Sequence, residues 1–479
     1  MKTKRLILPY LMTMLLCGCQ SGPETTGRDL YTGEPSPAAV LDPADEGPLT
    51  ISEAPTPTPE DIPTPTEEAG PAVKDPLTLL KDCAARGTAL PDKLILPNGV
   101  ELNDELLGNA LLSSGNTARL KEVMLKAAKG EPVTLAYLGG SITAGSNASP
   151  MESLCWASLT TDWWRGTFPE AEIEYINAGI GATDSYVGVH RLKRDILDHD
   201  PDVVVVEFSV NDTTPLNTDT YESILRALLE SSSSPAVVPL LLCSADHTFA
   251  YDHQPLATLY DLPVIAYYNL FDSGIISWEQ AGDTDNVHPK NEGHALIAGL
   301  MCSFYGSVLD DLASEAEENG IEKVTKEVSE ESASYELPEK YSLCSYTDAA
   351  FIFSDSPEAE PFIADGFVPS DKDTSVLKES GWTTKNAGSF SFEIEARTIG
   401  LAFEACDDPS GKDLVNYDVY VDGELYTDFD NSMDSRGNSQ LRYVSVLSDD
   451  EASLHKVSLV PSADNKGKEF TILAWAVGR

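Results

Sequence analysis

The chain has 479 residues, of which 42% are hydrophobic, and this is enough for two folded domains with ordinary cores. Its formal net charge is -46, with 78 acidic and 32 basic side chains. A chain this acidic repels phosphate backbones, which excludes nucleic acid as a partner, and the acidity otherwise favours solubility.

The first residues have the pattern of an export signal. Three basic residues precede an apolar run at 6–16, which is too short to span a membrane as a mature helix. The following Leu-Cys-Gly-Cys ends at Cys19 and resembles a bacterial lipobox. Residues 1–19 are therefore predicted to be a lipoprotein signal peptide, with Cys19 as the lipidated residue at the extracellular face of the cell membrane. The alternative is an ordinary signal peptide and a secreted protein.

Residues 20–75 are rich in proline, threonine and acidic side chains, above all at 53–65. Such a composition cannot bury enough apolar surface to fold, and proline keeps the chain extended. We therefore predict a disordered linker that holds the folded part away from the membrane.

Residues 76–313 show apolar strands in alternation with helices. After a short preamble, the pattern predicts a helix at 116–129. It then predicts strands at 133–138, 172–177, 202–208, 236–243 and 263–268, with helices that include 186–197, 219–231 and 291–310. Continuous apolar strands separated by helices are typical of a parallel sheet that is covered on both faces and carries its site at the carboxyl ends of the strands.

The C-terminal third of the chain has a different period. Residues 314–337 are acidic and polar and are predicted to be a linker with a frayed helix. Beyond them apolar residues alternate in short strands between 390 and 476, separated by turn signals such as Asp422-Gly423. Residues 338–479 are therefore predicted to form an all-β sandwich or jelly roll.

Short motifs in the α/β region supply the groups that acyl transfer needs. Ser141 lies in a glycine turn directly after a strand and is a candidate nucleophile. His288 is the candidate base, and Asp285, three residues earlier, can orient its ring. The backbone N–H groups of Ser141 and Gly179 and the side-chain amide of Asn211 are candidate oxyanion donors.

Simpler interpretations of these and other residues stay open. Ser141 can be a turn serine, and Asp285 can be a capping residue beside a Ser–His dyad. Asp184 and Asp212 are expected to be hydrogen-bonding loop residues. No metal is predicted, because five other histidines lack metal-like spacing and are assigned to packing or surface roles: His190, His199, His247, His253 and His294.

In these motifs the chain resembles the SGNH hydrolases, also called GDSL-type esterases. Ser141, Gly179, Asn211, Asp285 and His288 match that family in type and order over roughly 115–312. The resemblance implies a flavodoxin-like three-layer α/β/α fold that works without a cofactor. The chain departs from the family at two positions that flank the matched residues, with glycine in place of a frequent aspartate at 140 and serine in place of a frequent glycine at 209.

The C-terminal pattern is similar in outline to the jelly rolls of some two-domain carbohydrate esterases. This implies that the protein removes acetyl or similar acyl groups from an extracellular polysaccharide, or acts on a small ester. Three alternatives stay open. They are a lipase or lysophospholipase, an O-acyltransferase, and a glycan-binding surface protein with an inactive hydrolase domain.

Overall fold

The computed structural model describes residues 74–246, 248–386, 388–433, 441–462 and 465–479. The predicted signal peptide, Cys19, nearly all of the predicted linker at 20–75 and His247 lie outside these residues. The described residues fold as one compact unit that contains both the α/β part and the β part.

Within the described residues, the helices alternate with the strands of the first sheet. The helices are α1 (Pro76–Gly87), α2 (Asp104–Ala110), α3 (Ala118–Ala128), α4 (Ser141–Ala144), α5 (Met151–Leu154), α6 (Trp156–Thr167), α7 (Ser185–Asp195), α8 (Pro215–Glu230), α9 (His253–Leu259), α10 (Tyr268–Asp272), α11 (Trp278–Ala281), α12 (Asn291–Asn319) and α13 (Ile321–Ala333). The strands of the first sheet are β1 (Leu111–Ser113), β2 (Val133–Gly139), β3 (Ile173–Gly179), β4 (Val203–Glu207), β5 (Ala236–Leu241) and β6 (Val264–Ala266).

The first sheet has the strand order β1-β6-β5-β4-β2-β3. Strands β2 to β6 pair in parallel, and only β1 runs antiparallel, at the edge beside β6. Every residue of β4 and β5 is buried, so helices cover both faces of the sheet. The predicted α/β fold is confirmed, and the carboxyl ends of β2, β3 and β4 meet along one edge.

Helix α12 is the central core helix of this domain. By length and composition it could cross a membrane, yet 72% of its most apolar window is buried inside the protein, as in a helix at the centre of a globular domain. It continues to Asn319, and α13 follows, so most of the acidic segment predicted as a linker is helical. Val324 and Val328, four residues apart, are buried and attach α13 to the core.

The C-terminal part is an antiparallel β domain, as predicted. Its strands are β7 (Ala350–Ile352), β8 (Ile363–Asp365), β9 (Val368–Pro369), β10 (Trp382–Asn386), β11 (Ser389–Glu404), β12 (Asn416–Val421), β13 (Glu424–Asp430), β14 (Leu441–Pro461) and β15 (Lys466–Gly478). Hydrogen bonds join them into one sheet of order β13-β12-β14-β11-β15-β10-β9, with β7 on β15 and β8 on β11. Long β11 pairs first with β8 and then with β15 along one edge, which lets the sheet fold over its own aromatic core.

The two domains share a core through helix α7. His190 on this helix stacks on Phe351 of the β domain, with ring centroids 5.2 Å apart. Arg194 donates to the carbonyl of Leu377 at 3.2 Å and lies over the ring of Phe353. Because α7 begins directly after the turn that follows β3, the domain interface is connected to the edge where the predicted site residues lie.

Candidate active site

The turn that carries Ser141 depends on two glycines. β2 ends at Gly139, and Ser141 is the first residue of the short helix α4. A Cβ atom at Gly139 would overlap the side chain of Thr143 and the carbonyl oxygen of Glu207. A Cβ atom at Gly140 would lie 2.7 Å from Oδ1 of Asn211, so glycine at this position leaves space for the Asn211 amide beside the serine.

The structure brings Ser141, His288 and Asp285 into one hydrogen-bonded chain. Nε2 of His288 lies 2.8 Å from Oγ of Ser141, and Nδ1 lies 2.7 Å from Oδ2 of Asp285. This arrangement lets the imidazole accept the serine proton while its other nitrogen donates to the carboxylate.

The two carboxylate oxygens of Asp285 have different hydrogen-bond partners. Oδ1 accepts the backbone N–H groups of Val287 and His288, both at 2.9 Å, and so closes the loop. Oδ2 accepts from the His288 ring and, at 2.9 Å, from Nδ2 of Asn147. Partial burial acts to raise the pKa of Asp285, but the hydrogen bonds from the His288 and Val287 backbone and from the side chains of His288 and Asn147 outweigh it and lower the pKa to about 2.

The oxyanion side of the site differs from the prediction at Gly179. Its N–H donates to Oδ1 of Asn177 at 2.9 Å, and a Cβ atom there would overlap the backbone of Ala144. Gly179 therefore supports helix α4, and its N–H is already engaged. The Asn177 amide is held in this orientation because its Nδ2 donates to the carbonyl of Thr143 at 2.8 Å.

The following turn lies closer to the nucleophile. A Cβ atom at Gly181 would be 3.9 Å from Cβ of Ser141, and Ala182 has a left-handed backbone with φ 57°. The N–H of Ser141 lies at the open N-terminus of α4, and the amide of Asn211 lies beside Gly140. The second glycine of the Gly-Ile-Gly run is the sequence signal that could have indicated this turn.

A buried carboxyl group lies beneath the nucleophile turn, and the sequence did not indicate a role for it. Glu207 is 1% exposed and accepts from Oγ1 of Thr143 at 2.9 Å. Burial raises its pKa to about 7, although the Thr143 hydroxyl and the N–H of Gly140 oppose the shift. Since the folded pKa lies above the ordinary value of 4.5, this group stabilises the fold at acidic pH, and that contribution is lost as the pH rises towards 7.

Arg191 is a second residue without a predicted role. Its guanidinium is buried and donates to the carbonyl oxygens of Ala178 at 2.5 Å and Gly139 at 3.0 Å, and it contacts Asp195 at 3.1 Å. It therefore holds together the carboxyl ends of β2 and β3, on which the serine turn and the facing turn depend.

Asp212 and His253 form a buried pair behind Asn211. Nε2 of His253 lies 2.9 Å from Oδ2 of Asp212, whose other oxygen accepts the N–H of Ser185 at 2.8 Å. Burial raises the pKa of Asp212 to about 8 and lowers that of His253 to about 3. Both shifts disfavour the charged form of the side chain, because a charge is costly to hold away from water.

Two further histidines, His294 and His190, have packing roles, whereas His199 is exposed. His294 contacts the carbonyl of Ser146 at 2.9 Å and the N–H of Trp156 at 3.3 Å, and His190 lies in the domain interface. In the part of the chain that the structure describes, no three His, Cys, Asp or Glu side chains come together as a metal site requires.

An α/β sheet with a serine, a histidine and a carboxylate in line at its carboxyl edge has the arrangement of a serine hydrolase. Residues 137–296 match the model of the GDSL-like lipase/acylhydrolase family, and the chain carries a domain of that family. The chain is also similar over both domains to a two-domain esterase active on acetylated mannans. The two sequences are 29% identical and the structures superpose with a TM-score of 0.65. The match covers 78% of this chain and 98% of the esterase.

Two further comparisons agree with this class. A structure of a two-domain esterase active on acetylated mannans, co-crystallized with mannopentaose, is 28% identical with a TM-score of 0.65. That match covers 78% of this chain and 97% of the esterase chain. Thioesterase 1/protease 1/lysophospholipase L1 of Escherichia coli (strain K12) is 26% identical over 178 residues, which are 35% of this chain and 81% of that enzyme.

Proposed function

We propose that this protein is an exported esterase that removes acetyl groups from an extracellular polysaccharide. The observation that carries the proposal is the hydrogen-bonded chain from Ser141 through His288 to Asp285, with bonds of 2.8 and 2.7 Å. The similarity of both domains to an esterase active on acetylated mannans supports the substrate class.

The reaction follows from the positions of these groups. Oγ of Ser141 attacks the ester carbonyl carbon while its proton passes to Nε2 of His288. The oxyanion is stabilised by the N–H of Ser141, the turn at 181–182 and the Asn211 amide. His288 then gives the proton to the ester oxygen of the sugar as its bond to the carbonyl carbon breaks. The sugar departs as an alcohol, and the acetyl group stays on the serine. Water, activated by the same ring, releases acetate and restores the serine.

The direct test uses residues 71–479 and three substrates: p-nitrophenyl acetate, acetylated mannan and acetylated xylan. We expect acetate from p-nitrophenyl acetate and from at least one polysaccharide, and loss of all activity in Ser141→Ala. Ser158→Ala is the matched control, because this hydroxyl donates within its own region to the carbonyl of Glu152 at 2.9 Å, away from the triad.

The outcomes separate the competing functions. Hydrolysis of p-nitrophenyl acetate without release from either polysaccharide would contradict the proposed substrate, and activity on a lysophospholipid would then favour the lipase alternative. Transfer of the acetyl group to an added sugar in preference to water would favour the acyltransferase. A protein inactive on every ester would favour the glycan-binding alternative.

We also propose that residues 1–19 direct export and that Cys19 anchors the protein at the outer face of the cell membrane. The basic start, the short apolar run and the lipobox-like Leu-Cys-Gly-Cys support this. In a bacterial host, Cys19→Ala should move the protein from the membrane fraction to the soluble or unprocessed fraction, whereas Cys17→Ala should not. Cys19→Ala protein that is cleaved to its mature length and still found in the membrane fraction would contradict the anchor.

A further inference from the structure

We propose that Tyr443, on β14 of the C-terminal domain, is a positioning residue for the esterase site, and that it acts through Asp184 on the two loops that bear the oxyanion donors. The inference rests on the proposed function, since it assigns the β domain a part in the same reaction. Tyr443 lies 259 positions from Asp184 in the chain.

The first observation is the position of Asp184. This residue ends the turn that faces Ser141 and caps helix α7, where its Oδ1 accepts the N–H of Val187 at 3.3 Å. Its Oδ2 accepts the hydroxyl of Tyr443 at 2.6 Å and Nδ2 of Asn217 at 3.2 Å. The hydroxyl of the β domain therefore makes the shortest hydrogen bond to the carboxylate that holds this turn.

The second observation is that the two loops are tied to each other. Oδ1 of Asn217 accepts the backbone N–H groups of Thr213 at 3.2 Å and Thr214 at 3.0 Å, directly after Asn211 and Asp212. In the opposite direction, Asp212 accepts the N–H of Ser185. Asp184 thus binds the segment after Asn211, and Asp212 binds the segment after Asp184. A shift of Asp184 therefore moves the segments on both sides of the site.

The third observation is that the ring of Tyr443 is itself held in place. It stacks on Tyr186 with centroids 4.1 Å apart and planes 17° from parallel. Tyr186 fits against Gly400 of β11, where a Cβ atom would overlap its hydroxyl. A ring fixed on both domains presents its hydroxyl to Asp184 without losing rotamer freedom when the bond forms.

Loss of the Tyr443 hydroxyl leaves Asp184 with its cap bond and the longer bond from Asn217. The ring can still stack on Tyr186, so the interface stays packed. The turn at 181–182 and the loop at 211–214 are then held less firmly in position. Oxyanion donors that shift by tenths of an ångström stabilise the transition state less well.

The test compares Tyr443→Phe with the parent protein on p-nitrophenyl acetate, which needs the site but not the polysaccharide. We expect kcat to fall about tenfold, KM to stay within about twofold and Tm to change little. The rate of inactivation by diisopropyl fluorophosphate, which also uses the serine and the oxyanion donors, should fall by a similar factor.

Tyr417→Phe is the matched control. Its hydroxyl is buried in the β domain and donates to the carbonyl of Gly388 at 3.1 Å, without a connection to the loops. This variant should lose some stability and keep its kcat. If both variants lower kcat in proportion to their loss of Tm, the effect is general destabilisation and the proposal fails.

A double-mutant cycle with Asp184→Ala tests the route of the effect. Without the carboxylate, Tyr443→Phe should have no further effect on kcat. An equal fall in both backgrounds, a rise in KM alone, or an unchanged kcat in Tyr443→Phe would each overturn the proposal. A protein active on p-nitrophenyl acetate but not on polysaccharide would contradict the proposed substrate and leave this test intact.

Discussion

Asp285→Asn separates two roles of Asp285, namely closing its own loop and orienting the His288 ring. The asparagine keeps an oxygen at the Oδ1 position, so the backbone N–H groups of Val287 and His288 stay paired. At the Oδ2 position it places an NH2 group, which cannot accept from Nδ1 of His288 and which meets the NH2 group of Asn147. The loop should therefore keep its shape while the ring loses both its orienting bond and its neighbouring charge.

The expected loss of kcat follows from the solvent exposure of Asp285 and His288. The Asp285 side chain is 41% exposed and that of His288 is 21% exposed, so solvent screens the carboxylate from the imidazolium that forms during the reaction. A charge pair at about 4 Å is worth about 1 kcal/mol in water and about 4 kcal/mol near a protein surface. With an intermediate value, kcat should fall about a hundredfold, less than the roughly 10⁴-fold loss found for a buried protease aspartate.

The assay is the hydrolysis of p-nitrophenyl acetate near pH 7.5, with Tm measured for each variant. Asp285→Ala removes both roles and should lose activity and loop stability together, whereas Asn147→Ala removes one neutral donor and should stay within about threefold. If Asp285→Asn keeps nearly full activity and Asp285→Ala does not, then the residue acts as a cap and a Ser–His dyad is sufficient. That result would refute the catalytic role of the Asp285 carboxylate.

Further predictions concern two residues at the site and one in the domain interface. Glu207→Gln mimics the protonated carboxyl group, so its Tm relative to the parent should rise between pH 5 and pH 8 by the equivalent of up to about 3 kcal/mol; a pH-independent difference would refute the raised pKa. Gly140→Ala should displace the Asn211 amide and lower kcat about tenfold with KM little changed, and equal kcat values would contradict the close contact. Gly400→Ala should force Tyr186 out of its place and lower Tm by several degrees, measured by calorimetry; an unchanged Tm would show that the interface adapts.

Much of the fold could be predicted because its signals are local. The β-branched run at 203–206 is buried throughout, as a central parallel strand requires. The strands before Ser141, Gly179 and Asn211 each end at most four residues before that residue. Ser141 was predicted by the same logic, since a turn after a parallel strand brings its side chain to a common edge. Asp285 and His288 were predicted from their spacing, because an acid three residues before a histidine can orient the imidazole from the same loop.

Other features depend on where a group points and which distant group it contacts, and short sequence patterns do not encode this. The motif around Gly179 gives the position of a turn, but only the structure shows that Asn177 engages its N–H. Val324 and Val328 are too few to indicate a packed helix within an acidic segment. The contact between Tyr443 and Asp184 spans 259 positions and two domains, and no periodicity predicts such a pair.

The short strand β1 has a practical consequence for anyone who prepares this domain. It pairs antiparallel with β6 at the edge of the first sheet, and the residues before it place Leu106 and Ala110 in the core. The family match begins only at residue 137, well after this strand. A fragment cut at the family boundary would expose the backbone of β6 along an apolar edge, which invites strand addition between molecules and aggregation. Expression should therefore begin before α1, so that the chain supplies its own cover for that edge.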